Sequence, residues 1–196
     1  MAISIATEPR HVENALRKGV SNVLTVYKDT RRLMSAALDR PEGVTIALPH
    51  PVYAGGLSDI LDRTLTETAQ LSGWRYIVLD GDNAMAAADI RLVSGRREAR
   101  FSGLNLGPFV ANTVEGMAVA EAWEARQQDD FELRLLAIPS LYLIALWLYG
   151  KTSVFVVLPP APKIFEPYGI YSASDLVDQL REPALARMEL DEESLF

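Results

Sequence analysis

Hydrophobic residues crowd into one stretch of the chain, residues 131–158, FELRLLAIPSLYLIALWLYGKTSVFVVL, with no charged residue between Leu135 and Gly150. Its first part alternates: Phe131, Leu133, Leu135 and Ala137 lie on one side, Glu132 and Arg134 on the other. That is the two-residue period of a half-buried strand. Its second part is apolar on every face. The pattern predicts strands at 131–138, 141–149 and 153–158, with Gly150 to Thr152 as a hairpin turn. A helix over 139–149 is the alternative, because Leu141, Ile144, Ala145 and Leu148 share a helical face and Pro139 suits a first turn. The aromatic and β-branched residues around it favour strands.

Other elements follow from the same reading. Val12, Leu16, Val20, Val23, Tyr27, Met34 and Leu38 recur at three- and four-residue steps, predicting a helix over about 8–38 that Thr7 caps, with Glu8 and Pro9 in its first turn. Such a helix exceeds the needs of a small core, so either Gly19 breaks it or part of it packs on a partner chain. A strand is expected at 44–48, then the loop PHPVYAGG, a helix at 58–71 ended by Gly73, and a strand at 74–80, a spacing compatible with a parallel βαβ unit over 44–80. DGDN is turn chemistry and AMAAA has helical rather than strand propensity, so a turn or short helical piece is expected there, followed by strands at 88–93 and 97–102. Gly107 and Pro108 open a helix over 108–126 with Val110, Val114, Met117 and Ala118 inward. After Leu158 the run PPAPKIFEPYG is expected to cross the surface, fastened by Ile164 and Phe165. Ser172 and Asp175 form a capping box for a helix at 173–181, which Pro183 interrupts or restarts, and the tail ELDEESLF is acidic.

Composition narrows the classes. In 196 residues, 49% are hydrophobic and 23% charged, as in a globular protein whose core needs no staples. The lack of cysteine excludes disulfides, thiol catalysis and thiolate metal sites, and suits a reducing cytoplasm. Two histidines, His11 and His50, exclude a histidine-rich metal site. A net charge of -7 disfavours nucleic acid and anionic lipid; the best local basic patch, Arg96, Arg97 and Arg100, reads as a solvated turn and strand edge. Arginine outnumbers lysine 15 to 4, a bias that suits a GC-rich, bacterial coding sequence. The start, MAISIATEPR, lacks a secretory pattern. The uncharged run at 135–150 is too short for a bilayer of about 30 Å and contains Pro139, so no membrane span is expected.

Few residues suggest chemistry. Gly150-Lys151-Thr152-Ser153 ends like a phosphate-binding P-loop, but the first glycine that such a loop requires is Ala145, inside the apolar run. If strands 44–48 and 74–80 are parallel neighbours, their C-terminal ends bring together His50, Tyr53, Gly55 and Gly56 with Asp80, Asp82 and Asn83. His50 with Asp80 or Asp82 would offer acid-base chemistry, while the two glycines before a helix would offer amide groups to an anion. A calcium loop is excluded because Met85 stands where glycine is required. Pro159 to Pro162 fits P-x-x-P, and Trp123, Trp147 and Tyr149 could line a pocket, although core packing explains the aromatics as well.

The predicted fold is α+β: a mixed, mainly antiparallel sheet in one domain, 1–196, with central strands at 131–158 under the helices named above. The expected function is that of a non-catalytic binding or assembly protein, a cytoplasmic subunit or accessory factor with a protein partner or a second copy of itself, and without cofactor or metal. One alternative is a small hydrolase or transferase acting on an anionic substrate through His50 with Asp80 or Asp82. The other is a small-molecule binding module, with its pocket between helix 108–126 and the sheet.

Overall fold

The structure is a computed structural model and describes residues 3–26, 44–80, 83–93 and 98–193. It is an α+β fold. Nine strands are ordered β5-β4-β3-β2-β6-β7-β8-β9, with β1 on β6. They are β1 (Ser4–Ile5), β2 (Val44–Ala54), β3 (Gln70–Asp80), β4 (Asn83–Val93), β5 (Glu98–Asn105), β6 (Glu132–Ile138), β7 (Leu143–Tyr149), β8 (Ser153–Val157) and β9 (Ile170–Ser172). Five helices lie among the described residues: α1 (Arg10–Val26), α2 (Leu57–Leu61), α3 (Leu65–Thr68), α4 (Pro108–Glu124) and α5 (Ala173–Glu193). The chain divides into two compact units, one of residues 1–4, 52–71 and 115–196, the other of residues 5–51 and 72–114.

The first unit is built on the apolar stretch. β6, β7 and β8 pair antiparallel in sequence, with Leu136 opposite Ala145 and Trp147 opposite Phe155. One face carries Leu136, Ile138, Leu143, Trp147, Phe155 and Val157 under Ile60 of α2, Leu65 of α3, and Leu176, Leu180 and Ala184 of α5. The opposite face meets the second half of α4, where a Cβ on Gly116 would lie 2.3 Å from Leu158. Cover on both faces explains why β7 is apolar throughout, since a strand with no wet side has no use for alternation. Pro139–Leu141 forms one 3-10 turn before β7, so the strand expected from Leu141 starts at Leu143. The proline-rich strap is fastened by Phe165, which is buried; Ile164, expected beside it, is exposed.

α5 shows both a success and a correction. The Ser172 hydroxyl accepts from the Asp175 amide at 3.1 Å and donates to its carboxylate at 2.7 Å. The helix then continues through Pro183 to Glu193 instead of ending near 181. Proline removes one backbone bond, but Leu180 and Ala184 on either side of it are fully buried and hold the turn. The predicted helix 58–71 is also corrected. Arg63 takes a left-handed φ of 60, which separates α2 from α3, and β3 already begins at Gln70. Left-handed geometry cannot continue a right-handed helix.

The second unit contains α1 against β3, β4 and β5. Val12 and Leu16 pack on Trp74, Tyr76, Val78, Ala86, Ala88 and Ile90. The helix begins at Arg10, where the Pro9 carbonyl accepts the Val12 amide at 2.9 Å. Gly19 does not break it; the residue is where Phe101 lies against the helix, and a Cβ there would sit 2.0 Å from Phe101 Cγ. The predicted continuation to residue 38 falls outside the described residues beyond Val26. AMAAA is strand, not helix. Ala86, Ala87 and Ala88 are all fully buried in β4, so close packing on both faces overrides alanine's helical preference. In α4, Val110 and Met117 are buried as expected, whereas Ala118 faces solvent.

Candidate functional site

The expected site divides into parts of different character. His50 and Tyr53 lie not in a loop but within β2, which runs to Ala54 because Val52 to Ala54 pair in parallel with Leu135 to Ala137. Gly55 continues that ladder, its amide donating to the Ala137 carbonyl at 3.0 Å. A Cβ there would sit 2.4 Å from Leu65 Cδ1, so a larger residue would have to displace that side chain. Gly56 precedes α2, and its amide donates to the Asp59 carboxylate at 2.7 Å. The chain's own carboxylate therefore occupies the position proposed for an anion. Asn83 is exposed at the start of β4. The Asp80 side chain and Asp82 lie outside the described residues.

His50 has acquired other neighbours. Its ring is fully buried, and Nδ1 donates to the Leu48 carbonyl at 2.8 Å, which leaves Nε2 as the lone-pair nitrogen. Leu48 has a left-handed φ of 54, a local kink within β2. Arg75 and Asp89 stand directly opposite each other on β3 and β4 and carry the charge that acts on the ring. Asp89 accepts from Arg75 Nε at 2.6 Å, from Arg75 Nη2 at 3.0 Å and from Asn105 Nδ2 at 2.6 Å. The guanidinium also lies over the Phe109 ring, 4.9 Å from its centroid. A bidentate pair with an aromatic lid is a strong arrangement for arginine. Two atoms of the group, His50 Nε2 and Arg75 Nη1, are buried and have no hydrogen-bond partner among the described residues.

Burial is the main cause that lowers the His50 pKa to about 4; Arg75 adds to the effect, while the Leu48 carbonyl and Asp89 oppose it. The ring is therefore neutral at pH 7, and it has no surface through which to meet a substrate. Stability follows with a definite sign. The folded ring resists protonation, and the unfolded ring accepts a proton below about 6.5, so the contribution is whole above that pH and is lost as pH falls from 6.5 to about 4. The expected loss is about 3 kcal/mol. Urea unfolding at pH 7, 5.5 and 4.5 checks it: a His50→Gln variant should show a clearly flatter profile over that range.

A second group of polar and aromatic side chains lies in the other unit. The Arg134 guanidinium is 3.5 Å from the centroid of Tyr149, 4.7 Å from that of Tyr53 and 5.2 Å from that of Trp147, and its Nε donates to Glu132 at 2.7 Å. Two of the three aromatics suspected of lining a pocket, Trp147 and Tyr149, thus hold a cation of their own chain. Trp147 is core, Trp123 packs on Phe131 at 5.4 Å, and Tyr149 is half exposed. In the turn that resembles a P-loop, Lys151 donates to Asp129 at 2.7 Å. Arg100 is exposed and paired with Glu98 at 3.2 Å; Arg96 and Arg97 lie outside the described residues. Among the described residues no cluster of three histidine or acidic side chains could hold a metal, and no helix is long and apolar enough to cross a membrane.

Sequence reasoning missed Arg75 and Asp89. Reading AMAAA as helical concealed the pairing of β3 with β4, and counting back from Asp80 opposite Asn83 would still miss the pair, because a register shift between Val78 and Leu79 moves the partner of Arg75 from Ala88 to Asp89. Compared with family models, curated proteins and solved structures, the chain matches none.

Proposed function

We propose that the chain is a non-catalytic binding or assembly protein, a cytoplasmic subunit that acts through protein-protein contacts. The observation that carries this reading is Tyr142. Its side chain is 85% exposed at the tip between β6 and β7, and its backbone holds a left-handed φ of 53. For a residue with a Cβ that conformation costs roughly 1–2 kcal/mol. The ring recovers little of this within its own fold, because it is in water. An exposed tyrosine on a short rigid turn has the form of an interface anchor, a large contact area with little side-chain freedom to lose. Further support comes from β9, the last strand in the order, where Ile170 is exposed, and from Leu185 and Leu190, exposed on α5. A second copy of the chain is the simplest occupant, since a two-fold contact needs only one kind of patch.

The variant Tyr142→Ser tests the anchor. It should melt within about 2 °C of the parent, because an exposed side chain contributes little to folding. Its self-association, followed by sedimentation equilibrium, should weaken at least about tenfold. An unchanged association constant would remove the observation on which the reading rests.

A further inference from the structure

The second unit contains a groove of about 360 Å³ between the start of α1 and strands β2 and β3. Small-molecule sites begin at about this size. Its walls are chemically uneven. Leu16 and Ile46 supply apolar surface, Ile46 being 37% exposed, while Glu8 and Glu13 supply carboxylates. Glu13 Oε1 accepts from Arg17 Nε at 3.0 Å and Nη2 at 2.9 Å, and Glu8 has no ion pair among the described residues. Two carboxylates and one guanidinium leave the groove with one negative charge.

Tyr76 makes this more than an acidic surface. It lines the groove from β3, is only 2% exposed, and its hydroxyl is buried without a hydrogen-bond partner among the described residues. A buried hydroxyl without a partner is costly, and native structures seldom tolerate one without a reason. The phenol shares the groove with both carboxylates, and burial, followed by the charges of Glu8 and Glu13, pushes its pKa upward and keeps it protonated. A neutral phenol beside a carboxylate that has no ion pair among the described residues can accept a hydrogen bond from an ammonium.

We infer that this groove binds a small organic monocation, an amine with a short apolar body. The ammonium sits between Glu8 and the Tyr76 hydroxyl, and the apolar part covers Leu16 and Ile46. The site is independent of the Tyr142 contact, and either can fail alone.

Calorimetric titration of the full chain with n-pentylamine tests it, with 1-pentanol and pentanoate as controls. The amine should bind saturably, 1-pentanol at least about tenfold more weakly, and pentanoate not at all, because the charge supplies most of the discrimination. Glu8→Gln and Tyr76→Phe should each weaken amine binding about tenfold, the size of one charge-assisted hydrogen bond. Glu8 is only half-buried, so Glu8→Gln provides a folded variant even if Tyr76→Phe perturbs the core, and a thermal melt of each verifies folding. The inference is overturned if the amine shows no saturation below about 10 mM. It is equally overturned if 1-pentanol binds as tightly, or if folded Glu8→Gln binds the amine as the parent does.

Discussion

Replacing Gly73 with alanine is expected to cost at least about 3 kcal/mol and to lower the melting temperature by roughly 6–12 °C. Gly73 is buried in β3, paired with Arg91, and a Cβ on it would sit 2.1 Å from the carbonyl oxygen of Ile90. That atom belongs to the backbone of β4 and cannot rotate away as a side chain would. The only relief is to part the two strands, which loosens the ladder at Trp74 and Ile90 and, with it, the packing of Trp74 beneath α1. Thermal melting monitored by circular dichroism measures the effect. A Gly73→Ala protein that melts with the parent would mean that β3 and β4 are not in this register.

Asp89→Ala should cost a similar amount, about 3 kcal/mol, for an electrostatic reason. Arg75 has a side chain only 11% exposed and already carries one buried nitrogen, Nη1, with no hydrogen-bond partner among the described residues. Removing Asp89 strips it of both carboxylate bonds and leaves a guanidinium charge with neither water nor counterion. Asp89 itself is 23% exposed, which places the effect at the lower end of the usual range of about 3–5 kcal/mol. The double replacement Arg75→Met with Asp89→Leu should recover most of the loss, since a buried ion pair and its apolar replacement differ little in free energy. Urea denaturation of the two single variants and the double variant provides the coupling energy. Additive losses would show that the pair is solvated and contributes little.

These two positions also mark how far the chain could be read before its structure was known. Strong local patterns were legible. The alternation in Phe131 to Ala137, the turn at Gly150 to Thr152 and the Ser172 hydroxyl on the Asp175 amide each contain their own cause within a few residues, and each forms where expected; the Asp175 carboxylate, expected to take an amide in return, takes the Ser172 hydroxyl instead. The errors came where a distant contact overrides local preference. Ala86 to Ala88 are helix formers that become strand because they pair with β3 and are buried on both faces of the sheet. Arg63 breaks a continuous apolar pattern through a backbone angle that no periodicity reveals. Pro183 would end most helices, yet its neighbours are anchored too well for it to end this one.

The candidate site was harder to read, for the same reason. His50, Tyr53, Gly55 and Gly56 were drawn toward a ligand because they were read as a loop, and each is instead tied to its own chain: His50 by Leu48, Tyr53 by Arg134, Gly55 by the Ala137 carbonyl, Gly56 by Asp59. Tyr76 looked like one more strand aromatic in WRYIVLD. Only the fold shows that its hydroxyl is buried and lacks a partner among the described residues. Tyr142 lies in an apolar run whose Leu141 and Leu143 are buried on either side of it, while the tyrosine turns outward.

The central claim, that this chain works by joining another, is tested most directly by light scattering of the full wild-type protein over a range from low to high micromolar concentration. The mass should rise above 21.6 kDa toward a dimer or higher multiple as concentration increases. A mass that stays at one chain up to the highest concentration would contradict it.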